Sequence, residues 1–135
     1  MSLPLKLISG SAHRALAEDL AGELNVALEV ANIGAFADGE IRVHIGADVR
    51  GAVVAIVQPT CPPVNENLMA LALMADAARA AEAAQIIAIV PYFGYARQEQ
   101  RARVGEARSA QVAARLLGAV GVDHLITLDI HAPAL

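Results

Sequence analysis

The stretch QIIAIVPYF, Gln85 to Phe93, sets five apolar residues in an unbroken row from Ile86 to Val90 and then closes on a proline. A strand with one wet face alternates apolar and polar side chains. A run without alternation is a strand covered on both faces, as in a parallel sheet with helices on either side. Three more runs share this character: LKLIS from Leu5, AVVAIVQ from Ala52 and HLITLDIH from His124. Helical patterns lie between them, so the chain reads as an α/β sandwich with a mostly parallel sheet flanked by helices.

Outward from those runs, His13, Leu16, Ala17, Leu20, Ala21 and Leu24 fall on one face at helical spacing, with Ser11 at the N-cap position. A later helix starts at Ser109, carries Ala113, Leu116, Leu117 and Val120 on one stripe, and stops at Gly121. The middle helix, from about Pro63 to Ala84, differs because Leu68 to Ala75 are apolar without a break. Such a girdle is either buried on several sides within the domain or meets another subunit. One segment does alternate: Ile41, Val43 and Ile45 against Glu40, Arg42 and His44, preceded by FADG. Period two after Asp38-Gly39 reads as a turn into an antiparallel or edge hairpin. The resulting order is βα(ββ)βαβαβ.

Composition narrows the partners. The chain has 135 residues, 56% of them hydrophobic, enough for one globular domain with a real core. Its formal net charge of -4 argues against nucleic-acid binding through bulk positive potential. The longest apolar stretch, LMALALMA, falls far short of the ~20 residues a bilayer span needs, and no export signal is visible, so a cytoplasmic protein is expected. A single cysteine, Cys61, excludes an intrachain disulfide and reads as an inert loop thiol.

In open α/β sheets ligands bind outside the carboxyl ends of the strands. The unusual polar residues gather there, in QPTCPP, PYFGYARQEQRARVGE and DIHAP. In the arginine-rich segment and just after it, Arg97, Arg101, Arg103 and Arg108 against Glu99 and Glu106 leave a local charge of +2, four minus two. Guanidinium groups bind phosphate oxygens through paired hydrogen bonds, so this is either a polyphosphate clamp or a solvated charged loop. Asp129 and His131 stand two apart on a strand and share a face, a pair that holds a divalent metal or makes ordinary hydrogen bonds.

FADGEIRV, DVRG, VQPT, PVNENLMALALMADA, PYFGYARQ and DIHAP, in this order and spacing, resemble the N-terminal domain of the ribose-phosphate pyrophosphokinases. The resemblance spans the chain from its first strand to its last residue and implies a type I phosphoribosyltransferase-like fold. It implies transfer of the β,γ-pyrophosphoryl group of ATP to ribose 5-phosphate with magnesium, feeding nucleotide biosynthesis. It also implies a two-domain parent that assembles as dimers or larger rings. By the same resemblance, Phe36, Asp38, Gly39 and Glu40 form a loop reaching the ATP of a neighbouring subunit. Arg97 and Gln98 contact ATP, Arg101 and Arg103 extend that contact, and His131 with Asp129 lies at the magnesium site.

The chain also departs from the family pattern. The usual lysine-rich run after YARQ is replaced by EQRARVGEARSA, with Glu99 in place of an aspartate. The chain ends at Leu135, before the domain that in the family carries the sugar-phosphate and mobile catalytic loops. Residues 1–135 are therefore expected to be the ATP-side half of a synthase, without catalytic residues of their own and inactive alone. A non-catalytic relative that regulates synthase assembly is the other reading.

Overall fold

The computed structural model describes residues 2–128. A five-stranded, all-parallel sheet forms its centre: β1 (Leu5–Ser9), β2 (Leu28–Val30), β5 (Val53–Val57), β6 (Gln85–Ile89) and β7 (His124–Ile126), in spatial order β2-β1-β5-β6-β7. Helices α1 (Arg14–Leu24), α2 (Val64–Ala80) and α3 (Ser109–Ala119) connect them. Strands β3 (Asn32–Ala35) and β4 (Ile41–His44) pair antiparallel as a separate hairpin, with Ile33 opposite Val43.

Successive strand residues point to opposite faces. Leu7, Ala55 and Val57 pack with Ala17 and Ala21 of α1 on one face. Ile8, Val54, Ile56, Ile86 and Ala88 pack with Leu71, Met74, Ala78, Ala113 and Leu117 on the other. Because helices cover both faces, neither set can be polar, which is why β1, β5 and β6 show no alternation; the HLITLDIH run departs from the expected two-sided cover, since its strand β7 lies at the sheet's edge with all three residues exposed. The fold class expected from the apolar runs is the one observed.

Ala70, Leu71, Ala72, Met74 and Ala75 are buried inside the domain, between the sheet and the hairpin, whose Ile33, Val43 and Ile45 close over α2. The girdle is thus mostly covered by its own chain, and only Met69 stands well exposed, at 46%. Gly121 follows α3 with φ 108°, the positive value its position required. At the amino edge of the sheet the Arg79 guanidinium donates to the Gly121 carbonyl at 2.7 Å and pairs with Asp123 at 2.7 Å, fastening α2 to the α3–β7 connection.

Three expectations need correction. Ser11 is not the N-cap of α1: His13 is, its Nδ1 accepting the Leu16 N–H at 3.1 Å, because the helix starts two residues later than an N-cap at Ser11 would place it. The middle helix ends at Ala80, not Ala84; Glu82 has φ 67°, the Ala83 N–H turns back to the Ala78 carbonyl in the helix's last turn, and the Ala84 N–H bonds to the Ala52 carbonyl outside it. Strand β2 was not anticipated, since the three residues Leu-Glu-Val carry no period of their own. No helix among the described residues is long and apolar enough to cross a membrane.

Candidate functional site at the strand exits

Parallel strands bring the connections after β1, β5 and β6 to one edge of the sheet. The chain runs from β1 toward β2 on one side and from β5 toward β6 on the other, so a crevice for a ligand is expected between β1 and β5. The Gln58 side chain spans it. Gln58, fully buried, accepts the Ala12 N–H on Oε1 at 2.9 Å and directs Nε2 at Ser11 Oγ and Asn67 Oδ1, at 3.4 and 3.5 Å. A Cβ on Gly10 would stand 2.1 Å from that Oε1, so glycine is what lets the amide through. Asn67 in turn donates to the Cys61 carbonyl at 2.8 Å, anchoring the β5–α2 connection, which contains a cis Pro62-Pro63 bond.

The open chemistry lies one strand over, between the exits of β5 and β6. Thr60 donates its backbone N–H to the Tyr92 carbonyl at 2.9 Å, and its hydroxyl accepts the Gly94 N–H at 2.7 Å. A Cβ on Gly94 would meet Val64 Cγ1 at 2.5 Å and the Thr60 carbonyl at 2.8 Å. The two connections are therefore in backbone contact. Tyr95 follows with φ 72°, its hydroxyl bonded to Asn65 Oδ1, and its carbonyl accepts the Gln98 N–H at 2.9 Å. Two residues on, Arg97 is exposed and makes no hydrogen bond or ion pair with the described residues. Gln98 is also exposed, and its carbonyl accepts the Ala110 N–H at the start of α3.

The other arginines differ from Arg97. Arg101 donates Nε to the Glu106 carbonyl at 2.7 Å, and Arg103 pairs with the Glu106 carboxylate at 3.0 Å. Arg108 donates to the Glu99 carbonyl at 3.3 Å. Glu106 also accepts the Ala102 and Arg103 backbone N–H groups, closing the segment on itself. The Arg103 guanidinium, with the Ala102 N–H, holds the Glu106 carboxyl below its ordinary pKa. Each bonded guanidinium keeps further N–H donors. The loop's charge is thus partly neutralised internally, with Arg97 standing free of that pairing. Leu68, Tyr95, Ala107, Ser109, Val112 and Leu116 frame a largely apolar pocket of about 260 Å³ between α2 and α3.

Phe36, Asp38, Gly39 and Glu40 form the tip of the β3–β4 hairpin. The Phe36 N–H bonds to the Glu40 carbonyl at 2.8 Å, and Gly39 adopts φ 95°. Asp38 Oδ1 accepts the Glu40 N–H at 3.0 Å, which holds the Asp38 carboxyl below its usual range. The Phe36 ring is half exposed, with the Arg42 guanidinium 5.7 Å from its centroid. A Cβ on Gly34 would lie 2.9 Å from Arg42 Nη2, so glycine opposite Arg42 lets this side chain lie along the hairpin. Neither a hydrogen bond nor an ion pair joins the tip to the arginine segment among the described residues.

Asp129 and His131 lie outside the described residues. Among those described, no group of three or more His, Cys, Asp or Glu could hold a metal ion. Sequence reasoning placed Gln58 and Thr60 at a polar strand exit, in QPTCPP, but gave neither a role, and it missed Asn65. A buried glutamine at a strand end was the one available signal, and it cannot be told from a solvated one without the fold.

The chain matches the family described as the N-terminal domain of ribose phosphate pyrophosphokinase over residues 5–121. A ribose-phosphate pyrophosphokinase of Caldanaerobacter subterraneus is 45% identical over 96% of this chain and 41% of its own length. The chloroplastic ribose-phosphate pyrophosphokinase 2 of Oryza sativa is 50% identical over 95% of this chain and 32% of its own. The crystal structure of the Mycobacterium smegmatis phosphoribosylpyrophosphate synthetase superimposes with a TM-score of 0.87 at 39% identity, covering 96% of this chain and 44% of that one. An HPRT asparagine mutant, at 16% identity and TM-score 0.52, shares the fold alone. The chain spans about 40% of the length of the bacterial relatives it matches.

Proposed function

The chain belongs to the ribose phosphate pyrophosphokinase family, matching its N-terminal domain, and on that premise we propose that it is the ATP-side half of a ribose-phosphate diphosphokinase. The reaction makes a bond between the anomeric oxygen of ribose 5-phosphate and the β-phosphorus of ATP. It breaks the bond from that phosphorus to the α-phosphate oxygen, and AMP leaves. Little covalent work falls to the protein in such a transfer; positioning and neutralisation of polyphosphate charge carry it.

The observation behind this reading is Arg97, a guanidinium on the turn outside the carboxyl end of β6 with no partner among the described residues, and a guanidinium of that kind suits phosphate oxygens. Arg97 and Gln98 would take the nucleotide, with Arg101 and Arg103 adding donors not used by Glu106. Phe36, Asp38, Gly39 and Glu40 would serve the nucleotide of a second copy, since their tip makes no bond to this chain's own arginine segment among the described residues. That role entails a homo-oligomer.

Magnesium bound with ATP would neutralise phosphate charge. Asp129 and His131 would be its protein contacts, in keeping with Mg²⁺ being usually held by one or two carboxylates plus substrate phosphates. The groups that hold the sugar phosphate would belong to a second domain, and the setting is cytoplasmic. Release of AMP from ATP, ribose 5-phosphate and magnesium by the full-length protein is the test. Turnover is expected there and none from residues 1–135. Robust turnover by residues 1–135 alone would refute the division of labour, and none from the full-length protein would favour the regulatory relative.

A further inference from the structure

We propose that Thr60 and Asn65 are positioning residues that aim Arg97 and Gln98 by clamping the Tyr92–Tyr95 turn; the inference rests on the nucleotide-binding reading of Arg97. Arg97 makes no bond of its own to the described residues, so its direction is inherited from the backbone before it. That backbone holds an unfavourable conformation. Tyr95 has φ 72°, a left-handed value at which a bulky side chain crowds the main chain, and such residues persist only where their surroundings over-determine them.

The constraints come from the neighbouring connection. Thr60 is fully buried, and its hydroxyl is committed twice, accepting the Gly94 N–H at 2.7 Å and donating to the Tyr92 carbonyl at 3.2 Å. Asn65, in the first turn of α2, takes the Tyr95 hydroxyl. Gly94 between them has no room for a Cβ against Val64 and the Thr60 carbonyl. The turn is therefore gripped one residue before Tyr95 and at the tip of its ring. The Gln98 N–H donated to the Tyr95 carbonyl carries that orientation past Arg97.

The test uses the full-length protein with Thr60→Val, which keeps the shape and removes the hydroxyl, and Thr60→Ser, which restores it. Leaving the buried Gly94 N–H without an acceptor should raise the KM for ATP about tenfold in Thr60→Val, while the KM for ribose 5-phosphate stays within about twofold and Thr60→Ser recovers wild-type behaviour. In an Arg97→Ala/Gln98→Ala background the same Thr60→Val step should add less than about twofold, because the residues it aims are gone. An unchanged ATP KM, or an equal penalty in both backgrounds, overturns the inference. Should Thr60→Val not fold, Tyr95→Phe, losing only the hydroxyl held by Asn65, should raise the ATP KM about threefold, and no rise overturns it. Amide hydrogen exchange separates this from the function itself: exchange from Gly94 to Gln98 should quicken about tenfold in Thr60→Val or Tyr95→Phe with the α2 amides unchanged, even in a protein that releases no AMP. Unaltered exchange there refutes the clamp independently of catalysis.

Discussion

Gly94→Ala probes the contact between the two strand-exit connections directly. The added Cβ would stand 2.5 Å from Val64 Cγ1 and 2.8 Å from the Thr60 carbonyl. Val64 can turn its methyl aside, but the Thr60 carbonyl is main chain, in a residue whose own N–H is held by Tyr92. Relief therefore requires the Tyr92–Tyr95 turn to move off β5, stretching the 2.7 Å bond from the Gly94 N–H to the Thr60 hydroxyl. Overpacking of this kind costs about 1–3 kcal/mol, to which a weakened buried hydrogen bond adds about 1 kcal/mol. For a domain of this size that lowers Tm by roughly 3–5 °C per kcal/mol. Gly22→Ala is the matched control: nothing lies within 4 Å of its Cβ and it sits inside α1, so the change should raise stability by about 0.5–1 kcal/mol. Urea denaturation followed by circular dichroism measures both. Equal stability of Gly94→Ala and wild type would show that the two connections are not in the contact described.

Arg97→Ala in the full-length protein should cost about 1–3 kcal/mol in kcat/KM for ATP, the value of a charge-assisted hydrogen bond, with Tm within about 1 °C because no described residue depends on it; ATP kinetics like wild type's would remove Arg97 from the site. The Ile86 N–H, then the Arg79 guanidinium, hold the Asp123 carboxyl below its ordinary value, so its stabilisation is present above the unfolded-state pKa near 3.9 and is lost as pH falls through the lower folded value. Asp123→Asn should accordingly lower stability by no more than about 1 kcal/mol at pH 7, the pair being partly solvent-screened, and the gap to wild type should close as pH falls through the folded value; a gap that does not narrow in acid would contradict this. Self-association is expected from a hairpin tip that serves a second copy, and light scattering showing only monomer at high concentration would count against that role for Phe36 and its neighbours.

The layer architecture was legible in the sequence because burial on both faces leaves a mark that one strand's residues carry by themselves. Ile86 to Val90 could not sit in a sheet with a wet face, and the alternation of Ile41, Val43 and Ile45 could not sit in one without. Gly39 and Gly121 were readable for the same local reason, since each stands where the chain takes a positive φ. The order of motifs pointed to the family. What the tertiary structure decided depends on partners far away in the chain. Gln58 lies 46 residues from the Ala12 N–H it accepts, and Thr60 lies 34 from Gly94. No periodicity reports such pairings. Charge counting credited the arginine segment with several equivalent cations, but Glu106 folds back on Arg101 and Arg103, and only geometry sets Arg97 apart. The α2 girdle was ambiguous because an all-apolar cylinder fits a second copy or its own sheet equally well. The β3–β4 hairpin closing over α2 covers most of it within the chain, as only the packed fold could determine.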